Sequence, residues 1–263
     1  MLFTKRLHII IWMCIFFSYT CHSMSRASAL AEKDIRKETG DSLYNKGEYR
    51  KAISAYKQVI DMEGVSSDIN YNLGNCYYKI NDLSNCILHY ERALKMDPSD
   101  RDALYNLSLA REKIKDRKAG TTESFITAWW YSFANILNIH TLKRIGLFSF
   151  ILFLLFKFSA QTNYLFSYKN KLSLFAYVIL GISVTANLAA IQQYHLITNN
   201  SGVIVMKDIV QVKSSPTEIS TDLFVIHEGA KLEILDDSMN DWCHVKYDES
   251  RQGWIKKTDI EKI

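Results

Sequence analysis

The residue types best suited to chemistry in this chain are its five cysteines and seven histidines. Two cysteines lie in the N-terminal segment, which leaves Cys76, Cys86 and Cys243, without the short spacing of a disulfide framework or a zinc site. Cys243 and His244 adjoin, but neighbours on a strand point to opposite faces and cannot act as nucleophile and base. We therefore expect free thiols at Cys76 and Cys86, no metal, no cofactor and no enzymatic activity.

The overall charge gives little indication of a charged partner. A net charge of +4 is too small to indicate nucleic-acid binding, and no run of Lys and Arg alternates with aromatic residues. Hydrophobic residues make up 48% of the chain, yet the mean hydropathy is −0.09. The apolar residues must therefore be concentrated in particular segments.

Residues 1–29 have the features of a secretory signal peptide. A basic start precedes the apolar run Ile9 to Phe17, which is too short to span a membrane comfortably. Ala29 completes an A-x-A cleavage pattern. An uncleaved anchor is the alternative, whereas lipidation at Cys21 is disfavoured because the residues before it form a poor lipobox.

The segment between residues 40 and 107 repeats itself at an offset of 34 residues. The recurring positions are Gly40 with Gly74, Tyr44 with Tyr78, Ile53 with Ile87, Tyr56 with Tyr90, and Tyr71-Asn72-Leu73 with Tyr105-Asn106-Leu107. Such a period is typical of paired helices that bury their apolar faces by stacking on neighbouring pairs.

Each repeat has residues suited to close packing of its two helices. A small residue on the first helix, Gly40 or Gly74, lets the second helix approach at Ala52 or Cys86. The large rings of Tyr56 and Tyr90 then fill the space between units, and Pro98 stops the last helix of the second repeat.

The cores GDSLYNKGEYRKAISAY and LGNCYYKINDLSNCILHY resemble the tetratricopeptide-repeat (TPR) pattern, although Asn81 and Cys86 replace the Gly and Ala that it favours. The resemblance implies an all-α TPR solenoid over residues 32–118. Its third unit keeps only a first helix, Asp102 to Lys118, whose polar end suits a solenoid cap.

In TPR domains the first helices line a concave groove, and the resemblance places nine protein-binding positions in it. They are Asp34, Lys37, Asp41, Tyr44, Tyr71, Asn75, Tyr78, Lys79 and Tyr105. Aromatic rings flanked by amide and charged groups suit an extended peptide or a helix, through apolar contact and orienting hydrogen bonds. The alternative is that these residues form ordinary solvated helix surface.

An aromatic segment follows at residues 121–140. Its apolar residues recur at three- and four-residue spacing on one helical face and include Trp129 and Trp130. Because Trp and Tyr favour the headgroup layer, we interpret the segment as an interfacial amphipathic helix lying in the membrane plane. The alternative is a face packed against the TPR domain.

Two apolar segments, 142–160 and 172–194, are long enough for transmembrane helices and are joined by a short loop at 161–171. The first contains Lys157, which we expect near its far end with the side chain reaching the interface. The positive-inside count only weakly favours a cytoplasmic loop. The orientation therefore depends on the signal peptide, which would export both soluble domains.

Residues 202–263 change to short runs with strand patterning, separated by Gly or Asp clusters, and predict a small all-β barrel. The pattern VQVKSSP at 210–216, HEG at 227–229, and the pairs Asp241-Trp242 and Gly253-Trp254 resembles bacterial SH3-like domains. Trp242 and Trp254 are its most specific points, and we predict core, groove-wall or protein-binding positions for them rather than catalytic ones.

The order of segments resembles the BatE-type family of the bacterial aerotolerance (Bat) operon over nearly the whole chain. The sharpest points are Tyr71 to Tyr78, Ala128-Trp129-Trp130, Val212 to Gly229 and Gly253-Trp254. The resemblance implies an inner-membrane protein with its TPR and SH3-like domains in the periplasm. It also implies a complex with sibling proteins bearing von Willebrand A-type domains and with a MoxR-type ATPase, linked to oxidative or envelope stress.

The sequence therefore predicts a multidomain membrane protein that acts as a protein-interaction scaffold. A cell-wall-binding sensor that contacts peptidoglycan through the SH3-like domain is the alternative. A peptidoglycan hydrolase is disfavoured, because every segment is already assigned and no separate domain carries a Cys/His pair or paired carboxylates.

Overall fold

The structure, a computed structural model, describes residues 37–116, 125–159 and 169–263. The predicted signal peptide at 1–29, the predicted groove residue Asp34 and most of the predicted loop at 161–171 lie outside these ranges. The described chain has an N-terminal helical region, two long apolar helices preceded by a shorter one, and a C-terminal antiparallel sheet.

The N-terminal region is a series of antiparallel helices, and we refer to it as the repeat region. Its members are α1 (residues 37–45), α2 (Tyr49–Glu63), α3 (Ser67–Lys79), α4 (Leu83–Met96) and α5 (Arg101–Lys113). Ser66, Asp82 and Asp100 cap α3, α4 and α5 by accepting hydrogen bonds from main-chain N–H groups. Helix α4 ends two residues before Pro98, as predicted.

The turn inside each helix pair requires a left-handed residue. Gly47 fills this position in the first pair with φ 77°, and Asn81 fills the equivalent position in the second with φ 62°. Asn tolerates this region better than most residues because its short polar side chain can bond locally. The departure from glycine therefore leaves the turn intact.

In both repeats the glycine of the first helix packs against a tyrosine ring of the second, a pairing that the repeat pattern did not predict. Tyr56 and Tyr90 are each 1% exposed and lie against Gly40 and Gly74. A Cβ added to Gly74 would lie 2.5 Å from the Tyr90 ring, and one on Gly40 would also overlap the Tyr56 ring. Only a residue without a side chain allows this approach, which explains the recurrence of the Gly–Tyr pair.

Three further helices follow: α6 (Phe125–Ala134), α7 (Ile139–Ser159) and α8 (Lys169–Thr198). Buried Gln193 on α8 donates hydrogen bonds of 2.7 Å to the carbonyls of Ala134 and Leu137, and so fixes the turn between α6 and α7. Helix α6 thus packs on α8. Phe125 and Ile126 on its apolar face are exposed, and the interfacial position of this helix stays a prediction.

Helices α7 and α8 form an antiparallel hairpin and are long and apolar enough to cross a membrane, with mean hydropathies of 1.7 and 2.0. The Ser183 hydroxyl donates to the Gly146 carbonyl at 2.8 Å, at a point where the helices approach closely. Near the other end, Lys157 donates to the Tyr177 hydroxyl at 2.9 Å and to Ser173 at 3.3 Å. Its side chain therefore turns toward α8.

The C-terminal residues form a seven-stranded antiparallel sheet in the order β3-β2-β6-β5-β4-β1-β7. The strands are β1 (Gly202–Val205), β2 (Ile209–Lys213), β3 (Asp222–His227), β4 (Lys231–Asp236), β5 (Trp242–Lys246), β6 (Gln252–Lys256) and β7 (Ile260–Lys262). The predicted barrel is not closed, because β3 and β7 stand at opposite ends of this order and do not pair with each other. Strand alternation specifies the two faces of a sheet but not its closure.

The sheet packs on the outer side of α4 and α5. Ile204 of β1 joins the apolar core of the repeat region, and Gly229, with φ 77°, brings the turn before β4 against Ile87 and Ile114. Glu91 of α4 is buried and forms ion pairs with Arg111 and with Lys231 of β4. The sheet thus covers part of the second and third repeats, while the role of the polar end of α5 as a solenoid cap stays a prediction.

Candidate functional site

The concave face of the repeat region, formed by α1, α3 and α5, contains two adjoining cavities. A cavity of about 180 Å³ is lined by Tyr44, Asn75, Tyr78 and Lys79, together with residues of α5. The second, of about 260 Å³, is lined by Asp41, Tyr44 and Asn75 and by neighbours on α2 and α3. Five of the predicted groove residues therefore meet on one surface, which we call the concave groove.

A repeated hydrogen-bond network forms the floor of this groove. In the first repeat, Asp41 accepts from the Tyr56 hydroxyl at 2.5 Å and from the Asn72 amide at 3.2 Å. The second repeat has the same three positions: Asn75 accepts from Tyr90 at 2.6 Å and from Asn106 at 3.0 Å. Each network joins both helices of one repeat to the first helix of the next.

These networks change the role of two predicted binding residues. Asp41 and Asn75 already hold internal partners, so their side chains position the groove before any ligand arrives. Sequence reasoning missed their partners Asn72 and Asn106, although both recur in the Tyr-Asn-Leu motif at the 34-residue offset. That recurrence was the available signal.

The rings of Tyr44 and Tyr78 are half-buried and held by neighbours. Tyr44 meets Tyr49 edge-on with 5.3 Å between ring centroids, and burial raises the pKa of its hydroxyl. The Lys113 ammonium lies 3.9 Å from the Tyr78 ring centroid, within cation–π distance. Both rings are thus fixed before binding and present part of their surface to the groove.

The remaining predicted residues lie around this centre. Tyr71 accepts a hydrogen bond from Asn106 and packs near Tyr90, while Tyr105 on α5 is 64% exposed. Lys37 pairs with exposed Asp68 at 3.2 Å. Charged side chains therefore lie on both sides of the Tyr44 and Tyr78 rings along the concave groove.

The two predicted tryptophans lie together on the sheet. Trp242 pairs with Lys256 and His244 with Trp254 across β5 and β6, so all four side chains share one face of the sheet. His244 stacks on Trp254 with 5.0 Å between ring centroids, and both tryptophans are half-buried. This face, which we call the tryptophan face, lies opposite the buried face of Cys243, Val245 and Ile255.

The thiols are in environments that suppress their chemistry. Burial raises the pKa of both Cys76 and Cys86 to about 12, and also raises the pKa of Cys243. Cys243 lies in the sheet core while His244 is on the opposite face, as the alternation of strand residues requires. Within the described ranges, no group of three or more His, Cys, Asp and Glu side chains could hold a metal ion.

Comparison with known proteins identifies the repeats. Residues 40–81 match a family model described as TPR repeat, and residues 67–100 match one described as Tetratricopeptide repeat. The chain therefore carries TPR repeats, which typically act as protein-interaction modules without enzymatic activity. No curated protein matches it.

Solved structures give weaker likenesses. The Arabidopsis OM64 TPR domain is 14% identical, with 61% of this chain and 93% of that chain covered, at a TM-score of 0.30. A protein from Bacteroides ovatus ATCC 8483 described as protein binding is also 14% identical, with 63% and 88% covered, at 0.21. Both TM-scores are too low to indicate a shared overall fold.

Proposed function

We propose that this chain is a membrane-anchored scaffold that binds partner proteins through the concave groove of its TPR repeats. The observation that carries the proposal is the placement of Tyr44 and Tyr78, half-buried rings that line the two cavities above an ordered amide network. Aromatic side chains that are already fixed lose little conformational freedom on binding, so their contact area contributes efficiently to affinity.

The resemblance to the BatE-type family supports a specific set of partners. We propose sibling proteins with von Willebrand A-type domains, bound in the periplasm as part of an aerotolerance or envelope-stress complex. The mixture of groups around the rings, with Lys79 and Lys113 beside Tyr78 and Asp68 and Lys37 at the other end, suits a peptide with both charged and apolar side chains.

The groove is tested by photo-crosslinking in native membranes from a photoreactive residue at exposed Tyr105. We expect capture of a protein with a von Willebrand A-type domain, and we expect Tyr44→Ala with Tyr78→Ala to weaken that capture by about 2 kcal/mol or more. Helical content of the purified chain should stay unchanged, because both rings are only half-buried, whereas Tyr56 and Tyr90 are almost fully buried. Tyr194→Ala, at a half-exposed tyrosine of α8, is the matched control.

Two outcomes would contradict the proposal. If the double variant stays folded and captures the same partner normally, the concave groove is not the interaction site. If no von Willebrand A-type protein is captured from Tyr105, the proposed Bat-type complex is wrong.

We also propose that α7 and α8 span the inner membrane and that both soluble regions are periplasmic. The apolar exposed surfaces of these helices and the predicted signal peptide support this arrangement. A reporter active only outside the cytoplasm should be active when fused after Ile263 and inactive when inserted between residues 161 and 168. The reverse pattern would contradict the proposed orientation.

The tryptophan face favours a second candidate function, contact with the cell wall through an SH3-like domain. Trp242, His244 and Trp254 offer adjacent ring surfaces beside the Lys256 ammonium, an arrangement suited to stacking on a sugar or on a peptide stem. Sedimentation with purified peptidoglycan tests this function. Trp254→Ala should reduce binding, whereas Tyr44→Ala with Tyr78→Ala should not.

A further inference from the structure

An open groove of about 630 Å³ lies between α6 and α8, outside the repeat region and the sheet. Its walls are mainly apolar and include Ile126 and Trp130 on α6 and Leu188 and Ile191 on α8. Ile126, Leu188 and Ile191 are each at least half exposed. Leu188 and Ile191 are also part of the exposed apolar residues of α8.

Gln192 lines the groove and has a side-chain atom without a partner among the described residues. The Gln192 side-chain nitrogen is buried and has no hydrogen-bond acceptor among residues 37–116, 125–159 and 169–263. A buried donor left unpaired costs about 1–3 kcal/mol relative to one that is paired. The adjacent Gln193 uses its nitrogen to hold the α6–α7 turn, so Gln192 is not required for that contact.

We propose that this groove binds a phospholipid, with one acyl chain lying between α6 and α8 and the Gln192 amide turning toward the groove to donate a hydrogen bond to an ester carbonyl. This inference rests on the proposed membrane anchoring. A bilayer core needs about 20 helical residues, so a span that begins at Leu172, after Lys169 and Lys171, ends near Ile191.

The order of residues along α8 matches the order of groups in a lipid. Leu188 and Ile191 fall at the end of the apolar core, Gln192 at the boundary where ester groups lie, and His195 beyond it at headgroup depth. At 1.5 Å per residue, Leu188 and His195 are about 10 Å apart along the helix axis. A lipid in the groove therefore meets apolar, hydrogen-bonding and ionisable side chains in sequence.

The experiment uses the full-length chain in vesicles of phosphatidylethanolamine and phosphatidylglycerol. The vesicles contain a phospholipid with a photoactivatable diazirine near the glycerol end of one acyl chain, and labelled positions are mapped by mass spectrometry. We expect label on Ile126, Trp130 and Leu188 to exceed that on Val178, an exposed residue of α8 that does not line the groove, by about fivefold.

Two variants and a control make the test specific. Gln192→Met keeps the length of the side chain but removes the donor, and should lower groove labelling about fivefold without changing the label on Val178. Leu188→Trp should lower it by filling the groove, whereas Leu174→Trp, at an exposed position toward the other end of α8, should not.

The results separate this inference from the proposed anchoring. If alkaline carbonate extracts the chain from the vesicles, the membrane proposal and the lipid site both fail. If the chain resists extraction but labels the groove no more than Val178, or if Gln192→Met and Leu188→Trp leave the groove label unchanged, only the lipid site is wrong.

Discussion

The two TPR repeats have the same backbone plan but different outer surfaces. Lys57 and Ser54 on α2 are exposed, whereas Glu91 and Leu88 at the equivalent positions of α4 are buried. The cause is the sheet, which lies against α4 and leaves α2 open to solvent. The comparison shows that residues facing the inside of the repeats are constrained by packing within the repeats. Residues on the outer surface instead differ according to whether solvent or the sheet lies against them.

On the inner side the repeats are nearly identical. Tyr56 and Tyr90 occupy the same space and each donates a hydrogen bond to the same position, which is Asp41 in one repeat and Asn75 in the other. Burial raises the pKa of both phenols. Three experiments on the full chain in detergent can test how far the repeats differ energetically.

The largest expected effect comes from removing a tyrosine ring. Tyr90→Ala should lower the free energy of unfolding of the repeat region by about 4 kcal/mol, because a ring that is 1% exposed leaves a cavity between α3, α4 and α5. Tyr56→Ala should cost about 3 kcal/mol, since a solenoid unit couples only to its neighbours and α1 lies at one end of the described repeats. Urea unfolding followed by hydrogen exchange in α3 and α4 measures both values.

Tyr90→Phe is the control for this prediction. It keeps the ring and removes only the hydrogen bond to Asn75, so it should cost about 1 kcal/mol. Equal losses for Tyr90→Ala and Tyr90→Phe would mean that the hydroxyl, and not the ring, stabilises the second repeat.

The next effect is a pH dependence confined to the second repeat. His89 is buried, stacks on Tyr77 and shares a hydrogen bond of 2.8 Å with Asn70, whereas the equivalent residue of the first repeat is Ala55. Burial, and then the charges of Arg92 and Lys57, lower the pKa of His89 from 6.5 to about 3. The folded state therefore binds fewer protons than the unfolded state between these values.

Stability from neutral His89 is fully present above pH 6.5 and is lost as the pH falls toward about 3. Between pH 7 and pH 4 the repeat region should lose about 3 kcal/mol more than the His89→Gln variant. Thermal unfolding of both chains across this range gives the difference. Parallel pH profiles for the two chains would show that His89 does not titrate as proposed.

The smallest effect concerns the outer surface. Glu91→Gln should cost about 1 kcal/mol, because it removes the buried carboxylate between Arg111 and Lys231 while both cations keep access to water. Lys57→Gln, at the equivalent exposed position, should change stability by less than about 0.5 kcal/mol. If both substitutions have the same small effect, the ion pairs do not stabilise the contact between α4 and the sheet.

Much of the helical fold could be predicted from the sequence because its determinants are local and repeated. The 34-residue offset indicated the recurring glycines and tyrosines, but not that they pack together, and the apolar runs placed α7 and α8. The position of the sheet could not be predicted, since Ser84 and Glu228, which meet at 3.5 Å, are 144 residues apart. One signal was present: α4 carries three charged residues, whereas α2, of similar length, carries five.

Part of the lining of the candidate groove was predicted, but its internal hydrogen bonds were not. Tyr44 and Tyr78 line the cavities of the concave face, where the TPR resemblance placed them. The repeat pattern could not indicate that Asp41 and Asn75 already accept hydrogen bonds from other residues of the repeats. Such partners depend on the distances between packed helices, which the 34-residue spacing alone does not specify. Trp242 and Trp254 share one face because of the strand register, which alternation alone leaves open.

The open sheet described above has a consequence for self-association. Unpaired strand edges recruit strands from other molecules, and proteins with such edges commonly aggregate. Here the main-chain N–H of His227 on β3 donates to Asp116, at the end of the repeat region, and the carbonyl of Lys262 on β7 accepts from Arg92 of α4. The repeat region therefore covers part of both edge strands of the sheet. If the repeat region and the sheet separated, β3 and β7 would be exposed and could pair with strands of other molecules.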